Sequence, residues 1–342
     1  MTRLWIRGEA RATERRAPVV PEDVHVLVEA GIDVTVEASA QRAFPVEDYR
    51  AAGCDVAPEG SWVDAPSDVV VVGLKELPDH PGELRHRHVF FGHAFKGQAG
   101  ARDLLDRFHS GGGTLLDLEY LTDDAGRRLA AFGYWAGYVG AALAVLHARG
   151  RLSAPLLPTT RADLDAALRV PGDPLRGLVI GALGRSGRGA RDALVVAGLV
   201  PTEWDLPETA NLDRAALIGH DVLVNTVLTT RPSPPFLTDA DLDAPGRSLR
   251  VVSDVTCDVT SRHNVLPVND RVTSWDEPAR RLRDGERPVD VIAIDNLPSL
   301  LPVEASAAFS AELTPQLLDL DAAPWRRAVK HFHDAVKENV DA

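Results

Sequence analysis

Lys75 and Glu76 close the apolar run "SDVVVVGLKE", His93 and Lys96 close "HVFFGHAFKGQ", and Glu119 closes "TLLDLEYL". A lysine, a histidine and a glutamate at successive strand ends form a set suited to proton transfer. Arginine pairs stand at Arg15–Arg16, in "TERRAPVVP", and at Arg127–Arg128, before "LAAFGYW". Their guanidinium forks suit carboxylates. Taken singly, a lysine at a strand end is ordinarily solvated, a lone histidine is ordinarily structural, and an arginine pair is ordinarily surface charge. Their common placement gives them weight, because open α/β sheets bind ligands outside the carboxyl ends of their strands.

A second constellation lies mid-chain in "LVIGALGRSGRGA", residues 178–190. An apolar run meets Gly181, Gly184, Gly187 and Gly189, and an apolar helical stretch follows. Such a strand, tight turn and helix lets the backbone approach a pyrophosphate, which rests on the positive end of the helix. The spacing is G-x-x-G-x-x-G rather than G-x-G-x-x-G, so glycines serving only a tight turn remain an alternative for the loop alone. The next apolar segment, "TEWDL", ends in Asp205, about 20 residues on, where an acid meets the adenosine ribose hydroxyls. An aspartate there disfavours a 2′-phosphate and favours NAD over NADP. Glu208 follows it, while Arg185 and Arg188 in the loop suit phosphates. Ser186 sits in this loop, and no G-x-S-x-G elbow marks a serine hydrolase.

The elements that must position these residues alternate. In the first third, "TRLWIRGE", "IDVTVEA", "SDVVVVGLKE", "HVFFGHAF" and "TLLDLEYL" read as strands. "PEDVHVLVEAG", "PVEDYRAAG" and "ARDLLDRFHSGGG" read as the helices between them, which predicts a parallel α/β sheet. "YWAGYVGAALAVLHARG" is a long helix whose Ala136, Gly137, Gly140 and Ala141 allow another backbone to pack close. After the linker "RLSAPLLPTT", the glycine loop opens a second α/β unit, with strands in "TEWDL", "DVLVNTVL", "LRVVSDV" and "VDVIAIDN". The tail, "PVEASAAFSAELTPQLLDL" and "WRRAVKHFHDAVKENV", is helical. The reading is therefore α/β with two Rossmann-like domains. A substrate domain comprises 1–133 and 300–342, and a dinucleotide-binding domain, 134–299, is inserted into it. The active cleft is expected between them, where small-molecule sites commonly form.

Composition sets outer bounds. The chain has 342 residues, 45% hydrophobic and 25% charged, with a formal net charge of -13. So acidic a surface repels nucleic-acid phosphates and anionic lipid. Neither nucleic acid nor membrane is expected as a partner. No apolar run approaches the ~20 residues of a membrane span, and the charged start "MTRLWIRGEARATERR" lacks a signal-peptide core. Cys54 and Cys257 fit no metal spacing. A cytoplasmic protein with reduced thiols and no metal site is expected.

The motifs "ERRAPVVP", "GLKELP", "FFGHAFKGQAG", "TLLDLEYL", "DDAGRRLAAFGYWAGYVGAALA", "IGALGRSGRGA", "WDLPET" and "IDNLPSLLPVEAS" run nearly the length of the chain. In type and order they resemble the NAD-dependent, L-lysine-forming saccharopine dehydrogenases of the alanine dehydrogenase and transhydrogenase superfamily. The resemblance implies NAD-linked interconversion of saccharopine, or a related secondary amine, with 2-oxoglutarate and lysine, or a related amine. It implies Lys75 and His93 as the acid–base residues, with Glu76 and Glu119 tuning their charge. Arg16, Lys96, Gln98, Arg128 and Phe132 would shape the substrate pocket. Arg127, Gly184, Arg185, Asp205, Thr209, Val255, Asp295, Asn296 and Leu297 would surround the dinucleotide. Two departures are visible: Ser186 replaces a cysteine of the fungal loop, and Leu228 replaces an aromatic residue after "VLVNT". Two other readings compete. An alanine dehydrogenase-like enzyme sits poorly with so many carboxylate-binding cations, and a non-enzymatic NAD(H) sensor has no need of a Lys75–His93 pair.

Overall fold

The computed structural model describes residues 2–95, 100–229 and 231–341. The chain divides into two compact units, residues 1–131 with 302–342, and residues 132–301.

The first unit opens with β1 (Arg3–Ile6), α1 (Pro21–Glu29), β2 (Asp33–Glu37), α2 (Val46–Ala51) and β3 (Asp55–Ala57). It continues with β4 (Val70–Val72), β5 (Arg87–Phe90), α3 (Ala101–Gly111) and β6 (Thr114–Asp117). The strands form one parallel sheet in the order β3-β2-β1-β4-β5-β6. Val70, Val71 and Val72 are all buried, as a strand covered on both faces requires. Pro21, with its preset φ, starts α1, which buries Val24 and Leu27. Trp62, Phe90, Phe108, Leu115 and Phe332 fill the core at the β6 side.

The second unit begins with α4 (Gly133–Ala148) and α5 (Arg161–Arg169), then β7 (Gly177–Ile180), α6 (Arg185–Val196), β8 (Thr202–Trp204), α7 (Leu206–Ala210) and α8 (Arg214–Ile218). β9 (Val222–Asn225), α9 (Asp239–Leu242), β10 (Val251–Asp254), β11 (Arg280–Arg283) and β12 (Val289–Ile292) complete it. Its sheet runs β11-β12-β10-β9-β7-β8. All neighbours are parallel except β11, which pairs antiparallel with β12. The antiparallel edge, α5 and α9, like β3 in the first unit, are additions to the elements expected from sequence.

Helix α4 is apolar on every side and buried along nearly its whole length. It lies against α6 closely enough that a Cβ on Gly137 would stand 1.8 Å from the Ser186 carbonyl oxygen. One on Gly189 would stand 1.9 Å from the Tyr134 oxygen. This is the close approach that the small residues of the helix foretold.

The chain then returns to the first unit as α10 (Pro302–Leu317) and α11 (Ala323–Asp341). Ser306 and Ser310 on α10 accept hydrogen bonds from the Ala17 and Val20 amides at 2.9 and 3.0 Å. Phe332 on α11 packs edge-on against Phe108. No helix among the described residues is long and apolar enough to cross a membrane.

Candidate active site

In the first unit, winding reverses between β1 and β4, and the residues that follow β1, β4, β5 and β6 collect at one sheet edge. The chain leaving β1 buries Arg7 and Glu9. Glu9 accepts from the Leu74 amide (2.7 Å) and the Lys75 amide (3.0 Å). Arg7 donates to the Lys75 carbonyl and lies 3.3 Å from Glu9. The main chain of Lys75 is thus held at both its N–H and its C=O. Burial raises the Glu9 carboxyl above its ordinary range, against the pull of Arg7.

Glu76 receives a two-pronged bond from Arg11, Nε to Oε1 at 2.8 Å and Nη2 to Oε2 at 3.2 Å. Burial pushes its carboxyl up, but the bonds and charge of Arg11, with the charge of Lys75, bring it below the usual carboxylate range. Arg16 forks onto Glu14 in the same manner, at 2.7 and 2.5 Å, with both side chains buried. Glu14 is likewise lowered: Arg16 and, more weakly, Lys75 overcome its burial.

His93 follows β5 with a left-handed φ of 50°, uncommon for a residue with a side chain. Its ring stacks on Phe91, and Nδ1 lies 3.4 Å from Glu119 Oε1. Glu119 sits in a single 3₁₀ turn, Leu118–Tyr120, that directly continues β6. Asp117 caps this turn, its Oδ1 accepting from the Glu119 amide at 2.9 Å. Burial, with the charge of Glu119, pushes the Asp117 carboxyl up to about 6, against the bond from Glu119 N–H and the charge of His93.

The other predicted substrate residues are spread more widely. Arg128 pairs with Thr122 in an antiparallel bridge, and Arg127 is exposed and donates to Asp123 at 2.8 Å. Phe132 is the N-cap of α4, in the second unit. Lys96 and Gln98 lie outside the described residues.

In the second unit, β7 ends at Ile180 and Gly181 turns the chain with a φ of 81°. Gly184 is the N-cap of α6 and Arg185 its first residue. A Cβ on Gly187 would stand 2.1 Å from the Gly181 oxygen, so the turn closes only around glycine. Asp205 follows β8, accepts from the Leu183 amide of the glycine turn at 3.0 Å, and forms a capping box with Glu208. Thr209 donates to the Asp205 carbonyl at 2.8 Å. Val255 and Leu297 approach α4 at Gly140, and Asn296 accepts from Trp275 Nε1 at 3.1 Å. Asp295 leads into that segment after β12.

Residues 5–139 match the model for the alanine dehydrogenase/PNT N-terminal domain. Over 98% of its length the chain is 39% identical to the saccharopine dehydrogenase [NAD(+), L-lysine-forming] of Schizosaccharomyces pombe, covering 98% of that protein. It is 41% identical to the Neurospora crassa enzyme of the same name, over 98% of this chain and 96% of that one. The protein belongs to the saccharopine dehydrogenase family. Among solved structures, an L-alanine dehydrogenase superposes with a TM-score of 0.70 at 17% identity, over 99% of both chains. The transhydrogenase of Sinorhizobium meliloti gives 0.65 at 18%, over 92% of this chain and 93% of that one. At these identities the likeness is one of fold, and it supports the two-domain Rossmann-like architecture.

The second unit of this saccharopine dehydrogenase family member fits a dinucleotide on its own geometry. The turn brings its main chain to the N-terminus of a twelve-residue helix, where amides favour a pyrophosphate. A carboxylate, Asp205, is tied to the same turn. Among the described residues no cluster of histidine, cysteine and carboxylate side chains could hold a metal. Sequence reasoning missed Arg7, Glu9, Arg11, Glu14 and Asp117. The first four lie just after β1 in "RGEARATE", a run of charge where a buried strand ends, and that was the available signal.

Proposed function

We propose that this chain is an NAD-dependent dehydrogenase that interconverts saccharopine with 2-oxoglutarate and L-lysine. The observation that carries the reading is the edge where Lys75, held by Arg7 and Glu9, and His93, faced by Glu119, follow the neighbouring strands β4 and β5. NAD, when bound, supplies a two-electron acceptor for the C–H bond on the glutamate side of the secondary amine. Gly184, Arg185, Asp205, Thr209, Val255 and Asp295–Leu297, with Arg127, would hold it.

Lys75 takes the proton of the amine nitrogen. A lysine clamped at its main chain presents its neutral amine from a fixed origin, so little orientation is left to chance. His93 then moves the protons that water addition to the C=N bond and cleavage of the C–N bond require. Its Nδ1, facing the Glu119 carboxylate, carries the proton that this acceptor favours, which leaves Nε2 for the reaction. Glu76 and Glu119 balance the charge of the pair.

Saccharopine carries three carboxylates, and Arg16, Lys96 and Arg128, with Gln98 and Phe132, would bind and frame them. Glu14 fixes the orientation of the Arg16 guanidinium. The acidic surface, net charge -13, supports small-molecule partners over nucleic acid. Cys54 and Cys257 form no disulfide, in keeping with a cytoplasmic setting.

The test is NADH oxidation with 2-oxoglutarate across a panel of amines. L-lysine should give the highest kcat/KM. Turnover with pyruvate and ammonia in its place would sink the assignment, as would NADH binding without any turnover.

A further inference from the structure

Asp117 has no part in the reaction just described, yet it lies beneath both segments that deliver its groups. It is the last residue of β6 and pairs in register with Phe90, the last of β5. From these two strand ends the chain runs three residues to His93 and two to Glu119. The side chain is fully buried. Oδ1 accepts from the Glu119 amide at 2.9 Å. Oδ2 lies beside Gly92, 3.3 Å from where a Cβ on that glycine would stand, and the Gly92 main chain draws the carboxyl's pKa down.

The titratable groups around Asp117 are the members of the candidate site: Glu119 on the turn it caps, and His93 from the neighbouring strand. Tyr120 feels its charge, and α11 contributes His331, whose ring is tilted against that of Tyr120 with centroids 4.5 Å apart.

We propose that Asp117 is a positioning residue for His93, acting through Glu119. By holding the Glu119 amide it fixes the turn that sets the Glu119 carboxylate 3.4 Å from His93 Nδ1, and so selects the imidazole tautomer with Nε2 open to the substrate. The left-handed backbone of His93 is a conformation that its surroundings must enforce, and the Asp117–Glu119 link is one such enforcement. The pressure of burial on the Asp117 carboxyl, up to about 6, agrees with a group kept there at a cost to folding.

This rests on the proton-transfer role given to His93, so the test includes a readout that needs no turnover. The full chain and its Asp117→Asn and Asp117→Ala variants are compared by the ring ¹⁵N shifts of His93, by kcat, by KM for NADH and by thermal melting. Asparagine keeps an oxygen acceptor for the Glu119 amide, so it should retain the Nδ1–H signature and turnover within roughly threefold of the parent, the scale of a small hydrogen-bond change. Alanine frees the turn. It should lose that signature and roughly ten- to hundredfold in kcat, as misplacement of a catalytic group does, with KM for NADH unchanged.

A folded Asp117→Ala protein with the parental His93 signature and kcat would overturn the proposal. If alanine prevents folding, Asp117→Asn decides. Loss of the Nδ1–H signature in that variant, or a tenfold fall in kcat with the signature intact, would equally overturn it. A parent protein inactive on lysine and 2-oxoglutarate would defeat the functional reading while leaving the His93 signature able to test Asp117.

Discussion

Arg16 and Glu14 share a fork of two hydrogen bonds, Nε to Oε1 at 2.7 Å and Nη2 to Oε2 at 2.5 Å, with both side chains removed from solvent. A group proposed to bind a substrate carboxylate is therefore already held by a carboxylate of its own chain. Removing one partner strands the other as a buried charge.

Arg16→Ala should accordingly lose about 3–5 kcal/mol of stability, besides weakening 2-oxo acid binding. The Glu14→Gln/Arg16→Met double variant keeps an acceptor for the Arg16 main-chain amide. It should recover most of the melting temperature while still showing a raised KM for 2-oxoglutarate and an unchanged Kd for NADH. Equal loss of NADH affinity would remove Arg16 from the substrate side.

Asp205 is expected to read the adenosine ribose and to steady the glycine turn through the Leu183 amide. Asp205→Ala should raise KM for NADH and narrow its advantage over NADPH. A parent enzyme that uses both cofactors equally well would contradict the ribose assignment.

Gly137 tests the coupling of α4 to the glycine turn. An added methyl group meets the Ser186 carbonyl oxygen, a main-chain atom that cannot swing aside. Gly137→Ala should cost about 1–3 kcal/mol, as overpacking does, and weaken NADH binding in a fluorescence titration because α6 begins at that turn. A variant with the parental melting temperature and NADH affinity would show that the two helices separate freely.

His88 should set an acid limit on stability. Its ring is fully buried among Trp62, Phe90 and Phe108, with neither nitrogen hydrogen-bonded among the described residues. Burial, helped by the charge of Arg7, holds its pKa well below 6.5. The unfolded chain thus binds the proton first, so the stability of the neutral ring is full above pH 6.5 and lost as pH falls below it. Asp117, raised to about 6, acts in the opposite sense, its contribution present at low pH and lost as pH rises through 6. The comparison of parent with variant therefore isolates His88. Between pH 7.5 and 5.5, His88→Phe should lose less melting temperature than the parent; identical losses would contradict the assignment.

Most strands of the two sheets were legible because their sequences are continuous apolar runs, such as Val69–Val72, and parallel sheets demand such runs. β11 was not legible. Its sequence is RRLR and no residue of it is buried; it exists because β12 offers an open edge and Asp239, Asp243 and Asp290 take its arginines. α5 was hidden behind a proline-rich linker, although its Thr160 cap and its buried Leu164 and Leu168 were there to read. The site divides in the same way. Lys75, His93 and Glu119 show themselves by ending strands. Arg7, Glu9 and Arg11 acquire meaning only from partners across the fold, at Lys75 and Glu76, and no local pattern of residues encodes a pairing made at that range.

Lys75 and His93 are proposed to carry the proton transfers of one dehydrogenase reaction. The most direct test is the turnover of Lys75→Met and His93→Gln with NADH, 2-oxoglutarate and L-lysine. General acid–base groups typically contribute ~10²–10⁴-fold. Each variant should fall by about that much with its melting temperature and NADH affinity retained, and the double variant should lose less than the product of the two. Near-parental turnover in either single variant would contradict the account.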